Sequence, residues 1–587
     1  MLPSSPEGRT RFMLTVAGLG GLLYGIDLGI IAGALPYLEA SAAQLWKLSS
    51  QQLGFVVAAV LLGSVLSSLT AGALADTIGR KWLMLLSGLL FSASIPIIAL
   101  ADGYVPLLLG RLLQGVSGGL IGVVVPLYLA ETLPAAVRGR GTAMFQLLLT
   151  VGLVLAALIG LMVAQEVDAV ARNAPEQLQA VQDNAWRRIF WLSLAPGLLF
   201  TLGVLGLAES PRWLHARGRV QEALAALRQT RPAADAEQEL HAIAAAGSAS
   251  GHDAGATASS TVRDGGSLLQ RRYVLPFLLS CLILACNQAT GVNSLLAYAV
   301  TILDQAGLSG SQANLGDFLL KLLNALMTIV AVLLVDRKGR KFLLMLGSGG
   351  IVLSLLAAGL LFQAGEAQQT DVAPVLAARV RDNALDLDEA ALRKLAPSPG
   401  YQFEVAYSYG PLTQVRSLHA GQALSIEPPL QVDGDSVLGA FFRRLHLNPF
   451  PDMQAALHAP LAIERARIGT APDARHGWLL LACLLCFMAS FAIGPGVCVW
   501  LALSELMPTR IRSNGMSIAL LVNQFVSTVI AAIFLPTVGA HGYAPMFFFW
   551  AGCTVIYFLA ATFLLPETRG RTLEEIGRHF AAAAQEA

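Results

Sequence analysis

Twelve separate segments of the 587-residue sequence are predominantly apolar over about 20 residues, the length that an α-helix needs to cross a bilayer. This repetition restricts the fold more strongly than any other feature. Only 13% of the residues are charged, against about 25% in an average soluble protein. The sequence therefore predicts an all-α membrane protein with spans near 11–38, 52–75, 83–102, 106–130, 142–164, 189–208, 272–302, 313–335, 342–364, 478–504, 514–537 and 544–565.

Basic residues cluster in alternate short connections between these spans. They include Arg80/Lys81, Arg138/Arg140, Arg337/Lys338/Arg340/Lys341, Arg510/Arg512 and Arg569/Arg571. The positive-inside rule places these connections and both termini in the cytoplasm. The first apolar run is too long for a cleavable signal peptide and is predicted to be the first span. A plasma or bacterial inner membrane is the expected location.

Motifs of the first half of the chain recur in the second half. GALADTIGRK (72–81) follows span 2, and VLLVDRKGRK (332–341) follows span 8, six spans later. The repeat predicts a six-helix bundle over 1–208 and another over 271–587, joined by a cytoplasmic linker with short helices over 209–270. Two parallel repeats favour a transporter whose binding site lies near the middle of the membrane, between the halves.

A long polar segment interrupts this pattern between spans 9 and 10. Residues 366–477 are predicted to form a small folded module on the external side. DLDEAALRKL (386–395) predicts a short helix capped by Asp386 with Glu389 three residues on, and YQFEVAYSY (401–409) predicts a strand because it alternates. The Gly/Ala/Ser/Asp-rich end of the linker predicts a flexible connection.

Amide side chains inside the spans are the first candidates for a binding site. An amide both donates and accepts hydrogen bonds, as a sugar hydroxyl does, and it suits an ion poorly. The alternative is that such amides pair helix to helix. Because six of them occur in four spans, we favour a polyol site formed by Gln146, Asn287, Gln288, Asn293, Asn324 and Asn523.

Isolated charges inside the spans are the second set of candidates. Asp27 lies in GLLYGIDLGIIAG and Arg111 in LLLGRLLQG, where a charge costs roughly 2.5–3.5 kcal/mol or more. Their depths make a pair feasible, and a pair that separates or dries during transport can bind and release a proton. The alternatives are a structural salt bridge and an Arg111 that snorkels to the interface. Asp317 and Lys321, four residues apart in span 8, are predicted to satisfy each other structurally.

Nine motifs in order resemble the sugar porter family of the major facilitator superfamily. They are GALADTIGRK, GRLLQGVSGG, PLYLAETLPAAVRGR, AESPRWL, NQATGVN, VDRKGRK, GPGVCVW, SELMP and LPETRGRTLEEI. The resemblance covers the chain except about 366–477 and the end of the linker. It implies twelve helices in the major facilitator fold, with two six-helix bundles in parallel pseudo-repeat. The family includes proton-coupled sugar symporters and facilitative glucose transporters.

The resemblance also implies roles for single residues. NQATGVN is similar to the family's QQxSGxN signature, so that Gln288 and Asn293 match sugar-binding positions and Asn287 replaces a glutamine. Further matches to sugar-contacting positions are Gln146, Asn324, Asn523 and Trp500. Trp500 would pack on the sugar ring or, alternatively, be a core aromatic. Tyr298 matches an external gate residue. Two positions depart from animal glucose carriers, which have Trp at Gln524 and Glu at Ala492, so the sugar is not assigned.

The charged residues have implied roles as well. Proton-coupled symporters of the family resemble this chain in having an aspartate at the position of Asp27 and an arginine at the position of Arg111. Uniporters of the family usually have an asparagine at the position of Asp27. Charges at the cytoplasmic helix ends resemble a latch that closes the inner side, although each one alone could be part of a solvated rim. These are Asp76, Arg80, Glu131, Arg138, Glu209, Arg212, Asp336, Arg340, Glu505, Arg510 and Glu567.

The expected function is import of a monosaccharide, a hexose or a pentose, with a proton by alternating access. A facilitative uniporter and a non-transporting sugar sensor are the alternatives, and the short predicted C-terminal tail argues against the sensor. The expected partners are the sugar, the proton and the lipid bilayer, with a functional monomer. No nucleic acid, cofactor or metal is expected, and the chain is not expected to be an enzyme, because no nucleophile–base pair or metal-ligand cluster appears.

Overall fold

The computed structural model describes residues 5–41, 45–133, 135–241, 243–244, 271–396, 398, 400–421, 423–428, 453–498, 506 and 512–566. Twelve helical segments in it are long and apolar enough to cross a membrane, which confirms the predicted number. The first half contains α1 (Pro6–Ala40), α2 (Ser50–Ile78), α3 (Arg80–Ala99), α4 (Tyr104–Thr132), α5 (Ala135–Asn173), α6 (Leu178–Leu192) and α7 (Leu194–Leu205).

Two short helices, α8 (Pro211–Ala216) and α9 (Val220–Arg228), begin the linker, and the predicted flexible end of the linker lies outside the described residues. The second half contains α10 (Arg271–Ala289), α11 (Val292–Gln305), α12 (Ser311–Lys338), α13 (Arg340–Glu366), α17 (Ala474–Ile493), α18 (Arg512–His541) and α19 (Tyr543–Leu559), with α14–α16 in the module between α13 and α17. Spans 6 and 7, predicted as continuous runs, are each divided into two helices: α6 with α7, and α10 with α11.

The repeated GRK motifs form the same tight turn in both halves. Gly79 lies between α2 and α3 with φ +99°, and Gly339 lies between α12 and α13 with φ +88°. Glycine adopts such angles without the steric penalty that a Cβ atom imposes. The sequence repeat therefore has a matching local structure.

The two ends of the helix bundle differ in how the halves meet. We call the end where α1 stops at Ala40 and α11 stops at Gln305 the module face, and the end at Ile78 and Lys338 the motif face. A single hydrophobic cluster at the module face contains residues of both halves. Near the motif face each half has its own cluster.

Close backbone contacts join the halves at the module face. The Asp168 carboxylate at the end of α5 accepts a 2.8 Å hydrogen bond from the backbone N–H of Ser311 in α12. A Cβ atom on Gly54 of α2 would lie 2.5 Å from the carbonyl oxygen of Ala532 in α18. These contacts close the protein at the module face.

The segment between α13 and α17 folds as a β-rich module. Its antiparallel sheet has the order β1–β6–β3–β4, and a separate pair joins β2 to β5. The predicted strand over 401–409 is confirmed as β3. The bounds are β1 (Thr370–Asp371), α14 (Ala373–Ala377), β2 (Leu385–Leu387), α15 (Glu389–Leu395), β3 (Tyr401–Tyr409), β4 (Leu412–His419), β5 (Leu424–Ile426), α16 (Met453–His458) and β6 (Leu461–Thr470).

The predicted start of the module's short helix is wrong by two residues. Asp386 lies in β2, where it pairs with Ser425 of β5. Asp388 is the N-cap, and its side chain accepts a 2.8 Å hydrogen bond from the N–H of Ala391. The pairing with β5, which is distant in sequence, places Asp386 in a strand.

The module contacts both halves of the chain. Gln402 of β3 donates a 2.5 Å hydrogen bond to Gln305 of α11, and Lys47 of the first half donates a 3.1 Å hydrogen bond to the carbonyl of Pro428. Burial raises the pKa of the Glu404 carboxyl, and the Arg465 guanidinium beside it acts in the opposite direction. Arg465 itself contacts backbone carbonyls at the end of α18.

Candidate functional site

The NQATGVN segment forms a break between two helices. α10 ends at Ala289 and α11 begins at Val292, and Gly291 between them has φ +82°. A Cβ atom there would lie 2.3 Å from the indole of Trp550 in α19. The tight packing and the positive φ together require glycine at this position. Broken helices of this kind expose polar backbone and side chains at transporter sites.

Amide groups at this break connect α11 to α18. Asn293 donates hydrogen bonds to the Gln288 side-chain oxygen at 2.9 Å and to the Ser527 hydroxyl at 2.7 Å. Asn287 and Asn523 are 2% and 1% exposed. The side-chain oxygens of both lack a hydrogen-bond partner among the residues that the structure describes. Each of these oxygens has the capacity to accept a hydrogen bond from a hydroxyl.

The other predicted sugar contacts are more dispersed. Gln146 is exposed on α5, and Asn324 is half-buried on α12. Within the described part of the chain, no hydrogen bond links either side chain to Gln288 or Asn293. Trp500 lies outside the described residues.

Tyr298 of α11 is fully buried at the module face. Its hydroxyl donates a 3.1 Å hydrogen bond to the carbonyl of Ala531, and its ring stacks on Phe534 with centroids 4.4 Å apart. Both partners belong to α18. The predicted gate residue is therefore held in the closed module face.

Asp27 is buried in α1 without a bonded partner. It is 1% exposed, and neither carboxylate oxygen has a hydrogen-bond partner among the described residues. Its Oδ2 faces Gly118 of α4, where a Cβ atom would lie 2.7 Å away. A side chain at position 118 would therefore collide with the Asp27 carboxylate, and glycine leaves room for it.

Arg111 is buried in the same half but contacts other groups. Its Nη1 donates a 2.6 Å hydrogen bond to the Gln114 side chain, and its Nε approaches the carbonyl of Val56 at 3.5 Å. The guanidinium lies over the Phe190 ring, 5.7 Å from its centroid. Arg111 acts on Asp27 electrostatically, but the two do not form a salt bridge in the described structure. Seven residues separate Arg111 from Gly118, which is roughly 10 Å along α4.

Tyr24 lies beside Asp27 in α1, and its hydroxyl is near α18 of the other half. Tyr24 is one helical turn from Asp27. Its ring faces Gly118 of α4, where a Cβ atom would lie 3.2 Å from the ring. Its hydroxyl lies near Ser64 and near Gln524 of α18 in the other half. The sequence analysis did not single out Tyr24, Ser64, Gln114 or Ser527, although Asn523 and Ser527 share a face of α18 at i,i+4 spacing.

Charged side chains at the motif face form a network within the first half. Arg80 pairs with Asp76 and with Glu131, each at 2.9 Å. Glu131 also accepts a short hydrogen bond from the Ser210 hydroxyl. Glu209 accepts hydrogen bonds from the backbone N–H groups of Arg80, Lys81 and Ser210 at 2.8–3.2 Å.

The rest of the predicted latch is less defined. Arg212 is exposed, and Arg340 begins α13. The side chains of Arg138 and Asp336 and the residues Glu505, Arg510 and Glu567 lie outside the described part. Among the described residues, the contacts of Arg80 with Asp76 and Glu131 join latch charges of the first half, and the interaction between halves stays a prediction.

Replacing Gly79 by alanine is expected to destabilise this network. A Cβ atom at Gly79 would lie 2.4 Å from a carboxylate oxygen of Glu209, and its φ of +99° and ψ of 160° belong to a region that only glycine adopts readily. We expect a loss of about 1–3 kcal/mol in unfolding free energy, seen as a lower melting temperature in detergent. Gly72 of α2 is the matched control, because a Cβ there has nothing within 4 Å; equal melting temperatures for the two alanine variants contradict the prediction.

The chain is similar to known proteins over most of its length. The family model described as "Sugar (and other) transporter" matches residues 13–378 and 454–580. The galactose-proton symporter of Escherichia coli (strain K12) is 26% identical over 582 residues, which are 98% of this chain and 95% of that protein. The facilitated glucose transporter member 12 of Xenopus laevis is 27% identical over 572 residues, 96% of this chain and 88% of that one.

A solved structure shows the same fold. The xylose transporter XylE from E. coli, in an inward-open conformation, superposes with a TM-score of 0.64 at 20% identity and covers 96% of this chain and 98% of its own. The predicted fold class, twelve helices in the major facilitator fold, is confirmed. These relatives are transporters and not enzymes. The chain belongs to the sugar (and other) transporter family, as a multi-pass membrane protein.

Proposed function

We propose that the chain imports a monosaccharide together with a proton by alternating access, as a monomer in the cell membrane. The module face is then outside, and the motif face and both termini are cytoplasmic, in accord with the basic connections at the motif face. The observation that carries the proton coupling is Asp27, a buried carboxyl whose oxygens have no hydrogen-bond partner among the described residues.

The amides around the α10–α11 break support a sugar as the substrate. Asn287 and Asn523 offer unoccupied acceptors, and Asn293 is oriented by Gln288 and Ser527. Because these groups belong to α10, α11 and α18, a sugar bound there bonds to several helices of the second half at once. Polar groups that a bound hydroxyl satisfies are costly to leave unpaired, which gives the site its selectivity for polyols.

The surroundings of Asp27 support a proton as the second substrate. A negative charge without a bonded partner is expensive at this depth. In the proposed cycle Asp27 loads a proton while the module face is open, and sugar binding permits closure. Arg111, which donates a hydrogen bond to Gln114 one turn further along α4, then approaches Asp27 as α1 and α4 shift, and the proton leaves to the motif face.

The relatives include both coupled and uncoupled carriers. One is named a galactose-proton symporter and another a facilitated glucose transporter. Facilitative uniport on the same fold is therefore the second candidate, and Asp27 is then a structural partner in the first half. The two candidates predict different proton movements for the same sugar flux.

The test is sugar-induced proton movement in proteoliposomes that contain the purified protein. Hexoses, pentoses and polyols are added one at a time, and internal pH is followed with a trapped dye while counterflow of the same labelled sugar is measured in parallel. Symport predicts that each sugar that exchanges also acidifies the lumen. Sugar exchange with no pH change, in vesicles shown to be proton-tight, contradicts it and identifies a uniporter.

A further inference from the structure

A buried ion pair in α12 has no role in the cycle described so far. Lys321 and Asp317 are 0% and 1% exposed, and the Lys321 ammonium lies 2.7 Å from the Asp317 carboxylate. The second carboxylate oxygen of Asp317 has no hydrogen-bond partner among the described residues. Burying such a pair costs the desolvation free energy of both charges. A pair inside a span is therefore expected to have a role that offsets this cost.

Lys321 also bonds to the opposite half of the protein. Its ammonium donates a 3.0 Å hydrogen bond to the backbone carbonyl of Gly29 in α1. Gly29 is two residues from Asp27, on a part of α1 that packs closely on α5, since a Cβ atom on Gly29 would lie 3.1 Å from Ala156. The bond therefore reaches from the second half to the helix that contains the proposed proton site.

On α12, the pair lies between the sugar candidate Asn324 and the module face. α12 runs from Ser311 at the module face to Lys338 at the motif face. Lys321 is three residues from Asn324, on the module-face side, and positions three apart share one face of a helix. A sugar bound near Asn324 therefore has Lys321 next to it in the direction of the module face.

We propose that Lys321 is a positioning residue of the transport cycle, which holds the module face closed by bonding α1, and that Asp317 is the counter-ion that makes this possible. With the module face closed, the ammonium has both a carboxylate and a carbonyl as partners. When α1 moves away, the carbonyl is lost and water reaches both charges. If either charge is removed, the other stays buried and unpaired in the closed state, so that the closed state alone is destabilised.

The proposal rests on the proposed function only in assuming that the two halves move as alternating access requires. Its test needs neither sugar nor a proton gradient. Spin labels are attached at Glu176→Cys and Arg475→Cys, two exposed module-face positions in different halves, after replacement of the six native cysteines. Distances are then measured by double electron–electron resonance in the full-length protein in nanodiscs.

Lys321→Met and Asp317→Asn are each expected to raise the ratio of long to short distances by at least about tenfold. The double variant, which leaves no lone charge, is expected to lie between the single variants and the wild type. An unchanged distribution in both single variants, or a double variant with the sum of their shifts, overturns the proposal. If a single variant fails to fold, Lys321→Arg is measured in its place, because this change keeps the positive charge. If Lys321→Arg raises the ratio of long to short distances as much as the uncharged double variant does, the proposal is overturned as well.

A kinetic measurement separates this role from a plain structural defect. With more molecules open at the module face, Lys321→Met is expected to lower both the half-saturating concentration of external sugar and the maximal uptake rate. Loss of folded protein lowers the maximal rate alone. A wild type that moves sugar without protons refutes the proposed symport but leaves the distance measurement, and hence this proposal, unaffected.

Discussion

Asp27→Asn is expected to abolish sugar-driven proton movement while sugar counterflow continues. Asparagine has nearly the same shape as aspartate, so the contact with Gly118 and the packing of α1 are retained. It cannot release a proton in the physiological range, and it removes the buried charge that opposes reorientation. In proteoliposomes we expect the sugar-induced pH change to fall to the level of protein-free vesicles, with counterflow close to that of wild type, because the substitution breaks no hydrogen bond among the described residues.

The control for this variant is Asp183→Asn, a change at a half-exposed aspartate that pairs with Arg187 on α6. It is expected to keep the ratio of protons to sugar molecules. If Asp27→Asn keeps the wild-type ratio, Asp27 is not the coupling group. If it also eliminates counterflow in a protein that remains folded, the residue is needed for sugar exchange itself, and the coupling assignment fails.

Asn293→Ala is expected to weaken sugar binding about 10- to 100-fold. The variant removes the amide that bonds to both Gln288 and Ser527, and it leaves the Gln288 oxygen without this donor. An unsatisfied buried polar group costs about 1–3 kcal/mol, which corresponds to this range of affinity. Titration calorimetry with whichever sugar the wild type exchanges gives the dissociation constant directly.

Two further variants serve as controls for the measured dissociation constant. Ser527→Ala removes one of the two partners of Asn293 and is expected to weaken binding by a smaller factor. Asn173→Ala changes an exposed asparagine at the end of α5 and is expected to leave binding unchanged. Wild-type affinity in Asn293→Ala, with the protein folded, would place the sugar elsewhere in the bundle.

The membrane helices and the internal repeat could be predicted because their signals are local. A run of about 20 apolar residues has few alternatives to a spanning helix, and the recurring GRK turns at Gly79 and Gly339 repeat both sequence and backbone angle. The strand Tyr401–Tyr409 was also predictable from its alternation. The structure adds that all nine of its residues are buried, because β3 lies between β6 and β4 and its polar face is covered as well.

Features that depend on distant partners were predicted less well. Asp386 and Asp388 are equally good caps by composition, and the strand pairing of Asp386 with Ser425 decides between them. The break in span 7 is set by Gly291 packing on Trp550, more than 250 residues away in sequence. Hydropathy alone averages over such a break.

The charged residues illustrate the same limit. Depth along the helices made a pair of Asp27 and Arg111 feasible, but the side chains of Gln114 and Phe190 hold Arg111 elsewhere in this state. The Asp317–Lys321 pair was predicted from its spacing. Its bond to Gly29 was not, because the acceptor is a backbone carbonyl, and every residue of the sequence offers one.

The pairing of β1 with β6 has a consequence for how this protein was assembled. Thr370 lies opposite Ile468, so the chain leaves α13 and returns toward α17 at points only about 5 Å apart, one strand spacing. The module therefore connects α13 to α17 as a tight turn would. Its length adds little to the entropic cost of closing the connection, about 0.6 kcal/mol for each doubling of the number of residues. Such a connection allows an ancestral short loop to accept an insertion, or to lose it, while the order of the membrane helices is preserved.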